Sequence, residues 1–382
     1  MPSVIPSSVP SESPTVASST GTGIYPPTLS NNANYGDSVC ASNTVMAGGA
    51  PLTSFTKVQD GIAYYFDRTG NYLGDLTAVN WNGNALVDDS THVDRFGAAI
   101  ACSDTHILVC SQYDDGSTTD IGSVYLYQID GTFVTKTTTS IIFPASQAGA
   151  SGLAMDANFY VVGMPLYLTN SGLVFVYDLT GTELFTIQNN DNAINDYFGW
   201  DLDIADGYIV VGAYGNSGVG AAYIFTDTTG TQMAKLNPVN PTSNMRFGYS
   251  VGVSNGKVVV GAPKHNGQGA VYVYSINGSF LFMIAGASDT LAGDDFGWAV
   301  DISDAQNQII VGAPMYNTPT LVNCGAVYIF DATSGAELKR YYGTKSNHNY
   351  GLEVAISDTI AVVGTIKDSG FNGAQTGGMF LL

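Results

Sequence analysis

Positive charge is scarce in this chain: 382 residues carry 12 Lys and Arg against 32 acids, for a net charge of −20. Such a surface repels phosphate backbones and anionic lipid, so nucleic-acid binding is not expected. Histidine is equally sparse. His92, His106, His265 and His348 form no pair at the spacing that places two imidazoles on one metal. No Gly-x-Ser-x-Gly elbow and no phosphate loop occurs, so the common routes to nucleophilic catalysis and nucleotide chemistry are missing. No apolar run reaches the length that crosses a bilayer. No cofactor is implied.

Cysteine is nearly absent too. Cys40, Cys102, Cys110 and Cys324 show neither metal-ligand spacing nor a disulfide framework, and they read as four free, small core residues. The first residues lack the basic region and apolar run of a secretory signal. Free thiols and no such signal point to folding in a reducing cytoplasm. Glutamate is confined to Glu12, Glu183, Glu337 and Glu353. Asp favours turns and Glu favours helices, and no amphipathic helical stretch of useful length is present.

What is present is a repeat. An aromatic-Gly pair recurs as Tyr35-Gly36, Phe96-Gly97, Phe198-Gly199, Phe247-Gly248, Phe296-Gly297 and Tyr350-Gly351, with Ser151-Gly152 as a degenerate third copy. Spacings run 61, 55, 47, 49, 49 and 54 residues. A second anchor follows 11 to 15 residues later, clearest in Gly49-Ala50-Pro51, Gly261-Ala262-Pro263 and Gly312-Ala313-Pro314. A third is a Gly-small-Val-Tyr strand, as in Gly122 to Tyr127 and Gly269 to Tyr274. In the fifth unit Phe247, Tyr249, Val251 and Val253 alternate with small residues, the period of a strand. Asn255-Gly256 and Asn277-Gly278 then supply tight hairpin turns. Four short strands per unit of about 50 residues, repeated seven times, specify a propeller. The last unit ends after its third strand, and Ile24-Tyr25 are placed to supply the fourth and close the ring.

Phe-Gly followed by Gly-Ala-Pro resembles the FG-GAP repeat, the unit of the integrin α-subunit propeller. The resemblance covers residues 22–382 and implies an all-β, seven-bladed propeller of four-stranded antiparallel blades. It implies little about function, because one scaffold hosts many roles. Calcium-binding members carry an Asp-rich loop between the first two anchors. Here that connection is a tight hairpin, as at Ser254-Asn255-Gly256, too poor in oxygen for a cation needing six to eight ligands.

The chain therefore divides into a Pro/Ser/Thr-rich segment, 1–22, and a propeller, 23–382. The segment is either a disordered leader or an extended arm that orders against other subunits of an assembly. Connections between strands 2 and 3, and from blade to blade, are long and share one face, where binding normally resides. Phe55, Tyr113, Tyr167, Tyr214, His265 and Tyr316 reach that face and form a candidate aromatic surface for a protein or a glycan; alternatively each packs into its own blade. Asp156, Asp203 and Asp301, each four residues after a first-anchor Gly, are candidate carboxylates of the central channel. They would hold a cation there or cap backbone N–H groups between blades. The Asp/Asn-rich runs Asn189 to Asp196 and Asp289 to Asp295 are either calcium loops or solvated turns.

These features lead to an expectation of a non-enzymatic structural or attachment protein on a virion surface, folded in the host cytoplasm, with protein subunits and a host glycan or receptor as partners. A microbial surface or secreted lectin is the alternative, and a glycan-cleaving enzyme the third.

Overall fold

The computed structural model describes residues 15–16, 21–29, 33–53, 61–78, 94–114, 122–137, 152–191, 193–287, 289–367 and 376–382. Seven sheets succeed one another along the chain, and each innermost strand touches the next around a closed ring. Blade 4 is representative: Leu202–Ala205, Tyr208–Ala213, Ala221–Thr226 and Gln232–Leu236 run antiparallel from the channel outward. Blade 7 contributes Glu353–Ile356, Ala361–Thr365 and Gly378–Leu381, and Thr22–Ile24 completes it by pairing antiparallel with its third strand. The closing strand starts one residue before the boundary the sequence suggests. Upstream, Thr15–Val16 lies parallel to the outer strand of blade 6, opposite Lys339 and Arg340.

The repeat has a steric cause. Outside blade 2, the second-anchor glycine of each blade lies against the first-anchor carbonyl of the next. A Cβ on Gly261 would stand 2.2 Å from the Gly297 oxygen, and one on Gly212 would stand 2.2 Å from that of Gly248. The glycine opening each third strand abuts the next aromatic anchor: Gly220 bridges to Phe247, Gly269 to Phe296 and Gly325 to Tyr350. The anchor rings themselves are wholly buried. Phe198, Phe247 and Phe296 meet Tyr223, Tyr272 and Tyr328 edge-on at 5.5, 5.2 and 5.5 Å, a favoured aromatic geometry. Apolar clusters form between blades rather than inside them; Val210 and Ile224 of blade 4 pack on Val251, Val258 and Val260 of blade 5. A blade cannot bury both faces alone, so the ring is the cooperative unit.

One sequence expectation is overturned. Cys40 and Cys102 are not free but joined by a disulfide between the innermost strands of blades 1 and 2, with Cα atoms 5.8 Å apart. Cys102 does pair in register with Ile107 across its hairpin. The partner therefore comes from the neighbouring blade, a proximity that linear spacing does not encode. Cys110 and Cys324 are free and buried. The thiol argument for a reducing compartment thus loses its premise for one pair.

Candidate functional site

The first two residues after each first anchor enter the central channel. In blades 4, 5 and 6 the leading one is Trp200, Tyr249 and Trp298, forming a continuous aromatic wall. Trp200 and Tyr249 are 5.5 Å apart between ring centroids, and Tyr249 and Trp298 are 4.6 Å apart. Each ring is part-exposed. They line a cavity of about 550 Å³ at the channel mouth, together with Asp37, Asp201 and Glu353 at its floor and Arg95 at its rim. The channel continues as a narrower space of about 190 Å³ holding Asp203 and Asp301.

Most channel carboxylates have a structural task. An innermost strand leaves one edge unpaired, and the preceding blade caps it. Val251 N–H donates to Asp201 Oδ2 (2.7 Å), Val253 N–H to Asp203 Oδ2 (2.6 Å) and Ile356 N–H to Asp301 Oδ2 (2.7 Å). Val300 N–H finds Ser250 Oγ at 3.0 Å for the same purpose. Burial raises all three acids, Asp201 to about 6, although the bonds they accept oppose the shift. Neighbouring acids raise Asp203 and Asp301 further, Asp201 and Asp206 acting on Asp203, and Asp203 and Asp201 on Asp301.

Asp156 lies elsewhere. Gly163 N–H donates to the Gly152 carbonyl at 2.8 Å, the bond that joins Gly212 to Asp201 in blade 4. Gly152 therefore occupies Asp201's place, two residues beyond the anchor position the sequence assigns it. Asp156 consequently falls in the hairpin turn, where Asn158 and Phe159 N–H groups donate to its Oδ1 at 2.7 and 2.8 Å. Ser151 is outside the described residues.

Two floor acids differ from the others. Glu353 replaces Asp201 in blade 7, one methylene longer, and no hydrogen-bond donor among the described residues reaches its carboxylate. Burial raises its pKa well above the usual carboxylate range, and the charges of Asp201 and Asp37 add to this. Asp37 is pushed up to about 6 by burial, with Arg95 pulling it back. No group of three or more His, Cys, Asp or Glu among the described residues is arranged to hold a metal ion.

The aromatic residues singled out from sequence do not form one surface. Tyr214 joins the wall, stacked on Tyr197 at 4.8 Å and edge-on to Trp200 at 4.7 Å. Tyr113 carries Arg95 over its ring at 5.0 Å. Tyr167 packs on the blade 2–3 cluster. His265 is buried, within 3.2 Å of the Tyr272 hydroxyl, and Tyr316 is buried and stacked on Tyr342 at 5.2 Å. Phe55 lies outside the described residues.

The acids of the two Asp-rich runs are tied down by protein groups. Tyr316, Tyr328 and Tyr342 hydroxyls donate to Asp289 at 3.2, 3.0 and 2.6 Å, and Arg340 pairs with it at 2.8 Å. The same trio of third-strand Tyr, loop Asp and outer-strand cation recurs as Tyr125, Asp114 and Lys136, and as Tyr223, Asp191 and Lys235. These trios fasten long loops to rigid strands.

The FG-GAP repeat family matches residues 86–127, 182–225, 231–274 and 285–330, which fall on blades 2, 4, 5 and 6. The chain carries FG-GAP repeats in a seven-bladed propeller. No curated protein matches it. In this FG-GAP propeller the remaining blades keep the architecture. Anchors vary around the ring, Cys110 standing where a second-anchor glycine would be in blade 2 and Gly152 shifted in phase in blade 3. The fold suits a protein-binding or adhesion role, and no helix among the described residues is long and apolar enough to cross a membrane.

Proposed function

We propose that this chain is a non-enzymatic attachment propeller, a surface component of a larger particle such as a virion, which presents its long-loop face to a protein or host-surface partner. The observation that carries this reading is the aromatic basin of Trp200, Tyr249 and Trp298 at the channel mouth. Part-exposed aromatic rings at the centre of a rigid ring are what a binding hot spot requires. The channel acids Asp201, Asp203 and Asp301 are engaged in blade-to-blade caps, which supports binding over acid–base chemistry. The Pro/Ser-rich segment supplies a tether to other subunits.

Co-sedimentation with assembled particles tests the reading, comparing the full chain with one shortened to residues 21–382. The shortened chain retains Thr22–Ile24, without which blade 7 lacks its outer strand. The full chain should sediment with particles and the shortened chain should stay in solution, folded. If neither associates and both bind glycans alone, the attachment reading fails in favour of a lectin.

A further inference from the structure

Among the described residues, Glu353 and Asp37 accept no backbone cap, whereas Asp201, Asp203 and Asp301 each accept a backbone N–H from the next blade. Glu353 stands at the same place in the ring as Asp201 with a side chain one methylene longer, and its strongest electrostatic neighbours are two further acids. A carboxylate partly withdrawn from solvent, among like charges and with no donor among the described residues, is costly to maintain for stability alone. Beside it on the cavity wall stand three aromatic faces from consecutive blades. Tyr249 lies close enough to Glu353 for the carboxylate to disfavour ionisation of its phenol, behind the larger effects of burial and Arg246. Among the described residues, the only guanidinium on the cavity lining is Arg95, which is held over Tyr113. A second guanidinium, Arg246, lies 5.8 Å from the Tyr249 ring centroid, so the acids Asp37, Asp201 and Glu353 outnumber two cations.

We propose that the channel mouth is a binding site for an organic monocation of the alkylammonium class, with Trp200, Tyr249 and Trp298 cradling the methyl or methylene groups and Glu353 and Asp37 supplying the counter-charge. Aromatic faces attract a cation through their quadrupole, and the attraction strengthens when the site is desolvated. A cavity of about 550 Å³ admits a small ammonium or the end of a lysine side chain. Hard divalent cations require several converging oxygens at close range, whereas here the oxygens are spread around a ring and the wall is apolar. This proposal rests on the attachment reading only for the identity of the face; the chemistry of the basin stands apart from it.

The test is a calorimetric titration of the full chain at pH 7.5 with tetramethylammonium chloride, with tert-butanol as the neutral probe of similar shape, and with a blocked trimethyl-lysine peptide. Tryptophan fluorescence gives a second readout, because two of the three tryptophans in the sequence lie in the basin. Tetramethylammonium should bind saturably and tert-butanol should not. Glu353→Gln, which keeps the side-chain length and removes charge, should weaken binding about tenfold or more. Trp298→Leu should weaken it roughly fivefold, within the range expected for losing one aromatic face. A peptide that binds more tightly than the free cation assigns the ammonium to a partner's side chain; equal affinity assigns it to a small molecule. Equal binding of the charged and neutral probes, or unchanged affinity in Glu353→Gln, overturns the proposal. Should Trp298→Leu fail to fold, Glu353→Gln alone decides. Particle co-sedimentation of Glu353→Gln keeps the two readings distinct: retained association with lost ammonium binding leaves attachment intact and places it elsewhere on the face.

Discussion

Two glycines in blade 5 separate the two reasons for the repeat. Gly256 is a turn residue at φ +78° with nothing within 4 Å of the point a methyl would occupy, so Ala there incurs only left-handed backbone strain. That costs about 1–2 kcal/mol. Gly261 has no positive φ, and Ala in a strand interior is ordinarily favoured over Gly by about 0.5–1 kcal/mol. Its methyl, however, would stand 2.2 Å from the Gly297 carbonyl of blade 6, against 3.4 Å or more for an ordinary contact. Relief demands that blade 6 withdraw by about 1 Å, an overpacking cost of about 1–3 kcal/mol. The withdrawal also strains the Phe296 N–H bond to the Gln268 carbonyl, 3.1 Å long, worth about 0.5–1.5 kcal/mol. Gly261→Ala should therefore lower stability by about 1–3.5 kcal/mol, and Gly256→Ala by about 1–2 kcal/mol. Chemical denaturation followed by circular dichroism compares them. If Gly261→Ala is neutral or stabilising, blade-to-blade contact is not what fixes the second anchor.

Further outcomes follow from the same contacts. Cys40 and Cys102 are 62 residues apart, and closing such a loop restrains the unfolded chain by about 4 kcal/mol; reductant should lower the thermal midpoint of the native chain but not of Cys40→Ser. Asp37 and Asp201, raised by burial from 3.8 to about 6, contribute stability that is full below pH 3.8 and lost as pH rises through 6. Asp178 and Asp331, lowered by turn hydrogen bonds led by Thr180 and Ser334, contribute stability that is lost as pH falls below 3.8. The thermal midpoint should therefore peak between about pH 4 and 6, and Glu353→Gln should flatten its decline above pH 6; a midpoint rising steadily to pH 8 contradicts this. Asp289→Asn removes the charge facing Arg340 and weakens a site where three tyrosine hydroxyls meet. It should cost about 1–3 kcal/mol, and a loss below about 0.5 kcal/mol would show the trio to be dispensable.

The blades are legible in the sequence because their constraint is local and periodic. A glycine that must touch the next blade's carbonyl recurs wherever that contact recurs, and the Asn255-Gly256 turn announces its hairpin directly. Blade 3 reads out of phase because Ser151-Gly152 passes for an anchor pair, whereas Gly152 stands two residues further on, at the place of Asp201. That shift carries Asp156 out of the channel. The Cys40–Cys102 bond is hidden for a different reason: it joins neighbouring innermost strands, and lateral register between blades leaves no periodic trace. Trp200, Tyr249 and Trp298 are visible in the same alignment, being the residues that directly follow the first-anchor glycines of three consecutive blades. The rule that binding resides in long loops passes over them, since the basin is built from strand entrances.

The contrast between Asp201 and Glu353 bears most directly on function. Both occupy the same place in the ring, both lie at the floor of the same cavity, and burial raises the pKa of both. Asp201 is short enough to turn back and accept Val251 N–H at 2.7 Å; its burial is compensated by sealing a strand edge. Glu353, one methylene longer, accepts no such bond among the described residues. If stability alone had shaped the channel, aspartate, serine or alanine would serve in blade 7 as they do at Asp201, Ser250 and Ala299. A longer acid at this one position, sharing a cavity with three aromatic rings, places negative charge where the ring does not need it and where an incoming cation would.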